Sequence, residues 1–248
     1  MARNDVYDIV FDNVTGTSMN VKLVSVNSIP RAELKAQALD IPGRSGYLTT
    51  TDTAYKSITI KATLRLKEEA NRNAVSAWLT GQGDLRFTKY PTYMWIATVI
   101  KGFEFTPLLP QPYKNNTILP GLDEFTVQFL CQPYRYVYPP VTIAQTNATT
   151  ITTMTVNNPG SVEAEPLIVI EGSGDVTLTV GSNVLEISDM DTGITIDTEA
   201  RLAYNGDTNM TPNLNGDWPI IPTGATTISW TGEGSITTIS IQPNWRDI

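Results

Sequence analysis

Ser57-Ile58-Thr59-Ile60-Lys61-Ala62-Thr63-Leu64-Arg65-Leu66-Lys67 alternates polar and apolar residues without a fault. Successive side chains of an extended chain point to opposite sides, so Ile58, Ile60, Ala62, Leu64 and Leu66 share one face and Thr59, Lys61, Thr63, Arg65 and Lys67 the other. The pattern predicts a half-buried antiparallel strand, dry on one side and wet on the other. Phe125, Val127, Phe129 and Cys131 repeat it. Val176, Leu178 and Val180 do so again; Gly181-Ser182-Asn183 supplies a turn, and Val184 to Ile187 is expected to return as the second arm of a hairpin. Ile194 with Ile196, Ile228 with Trp230 and Ile239 with Ile241 continue the period. The 35 threonines suit the outer faces of such strands, where β-branched residues fit a pleated surface.

One segment keeps a different period. In Glu68 to Leu79 the apolar residues Ala70, Ala74, Val75, Trp78 and Leu79 form a helical stripe, Glu68 and Glu69 fall in the first turn, where the helix dipole favours them, and Gly81 follows as a stop. The expected fold class is therefore mainly β: a β-rich first domain with one α-helix, then an all-β second domain of sandwich type.

Charge supplies the domain boundary. Of the 248 residues, 1–139 hold 15 basic and 12 acidic groups, net +3, whereas 140–248 hold only Arg201 and Arg246 against 13 acidic groups, net −11, which together recover the overall −8. The change falls on Pro139-Pro140 and is followed by the Thr-rich stretch Val141 to Thr155, so the expectation is two domains, 1–139 and 140–248. At 41% hydrophobic and 17% charged, the chain has the makings of packed cores. The first ten residues carry three charges and no apolar run, so no signal peptide is expected. The most apolar stretch, Met94 to Ile100, is too short for a membrane span and is expected to offer a sheet edge to a neighbour.

Chemistry is narrowed by absences. Without a single histidine there is no Ser/His/Asp triad, Cys/His dyad or His-bearing zinc site. The single Cys131 has no partner for an internal disulfide and reads as a small buried apolar residue. Only carboxylates are left for acid/base work. Glu163 and Glu165 would share a face of an extended segment, a spacing compatible with glycosidase-like chemistry; the reading adopted is a solvated strand edge beside Pro166. Asp189, Asp191 and Gly193 resemble a fragment of a calcium loop, but Ala200 stands where the bidentate Glu belongs, so an ordinary turn is expected. Gly172-Ser173-Gly174 lacks the lysine of a phosphate cradle and reads as a hairpin turn. Tyr90, Tyr93 and Trp95, and Tyr134, Tyr136 and Tyr138, are either sheet packing or platforms for sugars or a protein partner. Negative net charge and interleaved signs give no support to nucleic-acid binding. No catalytic, metal or cofactor residue is assigned.

Several stretches resemble the distal tail proteins of long non-contractile-tailed bacteriophages (siphophages). In the first half these are Ile41-Pro42-Gly43-Arg44-Ser45-Gly46, Tyr55-Lys56-Ser57-Ile58-Thr59-Ile60 and Trp78-Leu79-Thr80-Gly81-Gln82-Gly83-Asp84-Leu85-Arg86-Phe87; Phe129-Leu130-Cys131-Gln132-Pro133-Tyr134 is similar to the family's exit from its first domain. In the second half they are Asn158-Pro159-Gly160, the run Glu165-Pro166-Leu167-Ile168-Val169-Ile170-Glu171-Gly172-Ser173-Gly174, and Gly216-Asp217-Trp218-Pro219 with Gly224.

The resemblance implies a structural virion protein of the tail tip or baseplate, made in the host bacterial cytoplasm. It implies a hexameric ring of N-terminal domains with galectin-like C-terminal sandwiches projecting outward. Its partners would be further copies of itself, the tail tube protein, tail tip or tail-associated proteins, and receptor-binding proteins, around a central channel for DNA ejection. Sequence-specific nucleic-acid binding, a membrane span and a cofactor are not implied. The alternative is a β-sandwich module that recognises host cell-surface glycans, although a galactose site commonly uses the histidine this chain lacks.

Overall fold

The computed structural model describes residues 7–43, 45–67, 70–108, 111–113, 117–119, 123–146, 148–233 and 235–248. The chain divides into two compact units, Met1–Arg135 with Ile248 and Tyr136–Asp247. Nearly every element is a strand; among the described residues there is one α-helix, Arg72–Trp78, and a single 3-10 turn, Thr211–Asn213.

In the first unit the alternating segment forms the strand Ile58–Leu66, and its five apolar residues are all buried. It pairs antiparallel with Asp123–Cys131 over eight consecutive positions. That register sets Leu64 opposite Phe125, Ala62 opposite Val127 and Ile60 opposite Phe129, so two period-two patterns become one dry face. On the wet face Thr63 Oγ1 meets Thr126 Oγ1 at 3.2 Å and Arg65 Nη2 reaches Glu124 Oε2 at 2.7 Å.

The sheet runs in the order Val14–Thr15, Ile9–Phe11, Gly81–Phe87, Tyr93–Val99, Asp123–Cys131, Ile58–Leu66, Val21–Val26. Met94 to Ile100, expected at an edge, therefore lies inside the sheet. Gly81–Leu85 pairs with it on one side and Phe129–Cys131 on the other, and Trp95 and Ala97 are buried. Its low charge reflects pairing on both sides. Val14–Thr15 and Val21–Val26 stand at the two ends of this order.

The helix begins later than its apolar stripe predicts. Asn71 caps it, its Oδ1 accepting from the main-chain N–H of Asn73 at 3.0 Å and of Ala74 at 3.2 Å, and this satisfies two donors that an uncapped end leaves orphaned. Glu68 and Glu69 lie outside the described residues, and the first turn contains no acidic residue. Val75 and Leu79 are buried as expected, whereas Ala74 is exposed. Trp78 is half-buried, with Nε1 donating to the Phe11 carbonyl at 2.9 Å. The helix closes at Leu79, and Gly81 is the first residue of the next strand.

The second unit is organised by one long strand, Leu167–Val180. Its first half pairs with Gly193–Asp197 and Ser235–Gln242, its second half with Asn183–Met190 and Gly224–Thr231. Each set extends outward: Ile143–Thr146 and Leu202–Asn205 join the first, Thr153–Asn158 and Leu214–Gly216 the second. The two sets enclose a single core in which Ile168, Ile170, Ile194, Ile196, Ile239 and Ile241 meet Leu178, Val180, Leu185, Ile228 and Trp230. This is sandwich packing, with alternate residues of both layers turned inward. The Thr-rich stretch after Pro140 is drawn into it as two strands.

Gly172-Ser173-Gly174 is not the hairpin turn its composition predicts. It lies within the long strand, and the pairing register shifts at Glu171/Gly172 and again between Gly174 and Val176. Gly172 has φ 153°, and a Cβ there would overlap the Ser235 carbonyl oxygen. The glycines thus let one strand bulge and pass from the first layer to the second. The hairpin turn proper is Gly181-Ser182, with Val180 opposite Asn183.

Two outcomes test this account. Gly172→Ala is expected to cost roughly 2–3 kcal/mol in a denaturant titration, because both backbone strain and overlap oppose it; a loss within 0.5 kcal/mol, about that of an ordinary surface change, would contradict the bulge. Burial pushes the Cys131 thiol up from 9.0 to about 12. A thiol whose folded value is raised contributes its full stability below pH 9 and loses it as pH rises toward 12. The wild-type unfolding midpoint should fall across that window more steeply than that of Cys131→Ala.

Candidate functional site

Glu163 and Glu165 flank Ala164, which is buried and bridges to Ile221. Their roles diverge. Glu163 is exposed, as expected of a solvated edge, and its main-chain carbonyl accepts from Arg246 Nε at 2.8 Å. Glu165 is held: Oε2 accepts from Arg246 Nη1 at 2.8 Å, and Oε1 lies 3.6 Å from Arg201 Nη2. Arg246 is buried, with 5% of its side chain exposed, so this ion pair is largely shielded from water. The Arg201 guanidinium also lies 5.6 Å from the centre of the Trp218 ring. Nearby in sequence to Arg201, Glu199 accepts from the Tyr136 hydroxyl at 2.9 Å; burial and then the Glu199 charge push that phenol above its ordinary range. A carboxylate faced by two guanidiniums, beside one that contributes only its main chain, is not an acid/base pair. The arrangement clamps the chain near Arg246 to the edge around Glu165.

A second polar hub stands beside it. Asn158 is buried; its Nδ2 donates to the carbonyls of Val162 at 3.0 Å and Ile221 at 3.2 Å, and its Oδ1 accepts from Gly160 N–H at 2.8 Å. At Gly160 a Cβ would overlap the Arg246 carbonyl oxygen. Asn158-Pro159-Gly160 is therefore a packing device, satisfying buried main-chain groups where two segments come too close for a side chain.

The remaining acidic candidates do not form a metal centre. Asp191 and Thr192 make the turn between Asn183–Met190 and Gly193–Asp197, and Asp189 N–H donates to Asp175 Oδ1 at 3.0 Å. Asp175, Glu186 and Glu233 line a shallow groove of about 330 Å³, but Glu186 is engaged by Asn215 Nδ2 at 2.8 Å. Among the described residues no three His, Cys, Asp or Glu side chains converge for a metal ion. The aromatic clusters are used within the fold. Trp95 is buried against Phe87, Arg135 lies 4.5 Å over the Tyr93 ring, and Tyr134 meets Tyr55 edge-on at 6.2 Å. Tyr136 is buried, and Tyr90 alone of the six is exposed.

The exposed apolar surface belongs mainly to the first unit. Leu34–Asp40 and Tyr47–Tyr55 form a two-stranded hairpin of their own, with Leu39 opposite Leu48 and a Lys56–Glu33 ion pair of 3.4 Å at its base. Arg44, in the connection between them, lies outside the described residues. A groove of about 780 Å³ follows the open edge Val21–Val26 and is walled by Tyr7, Lys22, Ile29, Lys89 and Tyr90. The Lys89 ammonium sits 5.9 Å from the Tyr7 ring centre and 5.4 Å from that of Tyr90. Neither surface was singled out by sequence reasoning, because hairpin and groove are assembled from unremarkable threonines, leucines and lysines. For the clamp there was a signal: Arg201 and Arg246 are the only cations after residue 140.

These features define a class: an antiparallel β protein of two units, without a catalytic or metal constellation among its described residues, and with surface suited to protein contacts. Among solved structures the chain is similar to that of SPP1 Dit (gp 19.1), described as a paradigm of hub adsorption apparatus in Gram-positive-infecting phages. The TM-score is 0.69 at 15% sequence identity, over 96% of this chain and 98% of that one. No family model and no curated protein matches. The likeness establishes a shared fold over nearly the whole length.

Replacing Arg246 by Met would leave Glu165 facing only the half-exposed Arg201 and would free the Glu163 carbonyl. The expected loss is on the order of 3 kcal/mol, read by thermal or denaturant unfolding. Arg201→Met, at a more exposed position, should cost well under half of that.

Proposed function

We propose that this chain is a structural protein of a siphophage tail tip or baseplate, a component of the virion and not an enzyme. Six copies form a ring through residues 1–139, joining the tail tube to tip and host-adsorption proteins and leaving a central channel for DNA. Residues 140–248 form a galectin-like sandwich that projects outward. The observation that carries this reading is the fold shared from end to end with a phage hub protein at nearly equal length. Recognition of receptor-binding proteins would fall to surfaces of the assembled ring.

Charge supports the division of labour. Both arginines of the second unit lie beside Glu165, against 13 acidic groups in residues 140–248. Copies of so acidic a unit repel one another and stay apart, while the near-neutral first part tolerates close packing. The glycan-binding alternative rests on the tyrosine clusters and the threonine-rich sheet faces; it loses support from the clusters, since Trp95 and Tyr136 are buried and Tyr93 and Tyr134 pack against Arg135 and Tyr55.

Negative-stain electron microscopy of the purified chain tests the reading. A six-fold particle with a central hole is expected. A monomer at tens of micromolar that gives a glycan-array signal would overturn it.

A further inference from the structure

Residues 22–29 line the groove of about 780 Å³ without a break, so the cleft follows the chain as a trough. Its volume is that of a ligand cleft, and its long wall suits an extended segment, since a six-residue strand spans roughly 20 Å. Val21–Val26 ends the sheet order and, among the described residues, pairs only with Ile58–Leu66. The Val21 N–H is used within the chain, donating to the Gly16 carbonyl at 2.8 Å. From residue 22 onward the strand borders the groove, where its main chain can receive a further strand.

Charge states what that strand must carry. Lys22 and Lys89 line the groove and no carboxylate does. Lys22 stands directly across from Arg65, and it is Arg65 that Glu124 holds at 2.7 Å. Like charges at opposite positions of a strand pair repel, so an anion entering the groove beside Lys22 relieves a repulsion built into the sheet. The Lys89 ammonium lies 5.9 Å from the Tyr7 ring centre and 5.4 Å from that of Tyr90. Both rings are exposed, at 41 and 37%, and so is Val24, at 43%, where the pairing register shifts between Leu23 and Ser25. Cations and apolar surface therefore alternate along one trough.

We infer that this groove is a docking site for an extended acidic segment of a different protein, which adds to Val21–Val26 as a strand. The segment sets one carboxylate on Lys22 and another on Lys89, and it lays an apolar side chain on Val24 beside the two tyrosine rings. Main-chain pairing supplies the affinity and alternate side chains supply the selection. A lysine and a bulge on an end strand discourage indiscriminate pairing, and here the same lysine admits a strand that brings a carboxylate and turns away one that brings a cation. The inference goes beyond the ring reading and does not depend on it.

The test uses the full-length chain and a fluorescein-labelled probe peptide, Glu-Val-Glu-Tyr-Glu-Val-Glu, read by anisotropy. Saturable micromolar binding is expected, and Lys22→Glu combined with Lys89→Glu should weaken it roughly tenfold or more. Hydrogen exchange should slow in residues 21–26 when the probe is bound. Of two probes N-methylated on alternate amides, the one blocked along the pairing edge should lose both effects. Inorganic polyphosphate that binds as well as the probe, with neither methylated probe impaired, would mark a plain anion patch and overturn strand addition. Probe that binds only as sedimentation shows assemblies coming apart would give the groove to a second copy and overturn the assignment to a different protein. Absence of probe binding would overturn this inference alone, because the six-fold particle is judged separately by microscopy.

Discussion

Both units depend on one constraint: a side chain on every second residue must leave water, and only a neighbouring strand in the matching register lets it do so. The pairing of Ile58–Leu66 with Asp123–Cys131 meets this demand in the first unit, with Ile60, Ala62 and Leu64 set against Phe129, Val127 and Phe125. A slip of one residue would turn all of these into solvent and bring Lys61 and Gln128 into the core. No disulfide supports the fold, since the chain has a single cysteine, so register carries the stability. In the second unit the same constraint acts along Leu167–Val180, which serves both layers because its glycines permit a change of direction without a loss of pairing.

Polar groups are arranged to protect that burial. Asn158 donates to the Val162 and Ile221 carbonyls and accepts from the Gly160 N–H, Asn71 caps the helix, and the Trp78 and Trp230 indoles donate to main-chain carbonyls at 2.9 Å. Glu165 gathers the two arginines of the second unit, the sort of constellation that first looks like chemistry and proves to be a clamp. With its cations concentrated there, the unit presents an acidic surface to any partner.

Strand patterning was legible wherever one face is buried and the other wet. Ile58 to Leu66, Phe125 to Cys131 and the Val176–Ile187 hairpin all fall as their alternation predicts. The reading failed where local composition had more than one structural use. Gly172-Ser173-Gly174 looks like a turn, but glycine also serves bulges, and the carbonyl of Ser235 decides between them. Met94 to Ile100 looks like a free edge because it lacks charge, yet lack of charge equally marks a strand paired on both sides. The helix start was misplaced because a dipole preference for Glu68 and Glu69 is weaker than two hydrogen bonds to Asn71.

What the sequence by itself determined is the fold class, the inert burial of Cys131, the charge asymmetry and the exclusion of histidine chemistry, because each follows from periodicity or from counting. Only the tertiary structure decided which strands are edges, that Glu165 is paired by Arg201 and Arg246, and that apolar side chains far apart in the chain collect on a hairpin and along a groove. Those are properties of segments brought together, and the spacing of residues along a chain carries no measure of which distant segment will face them.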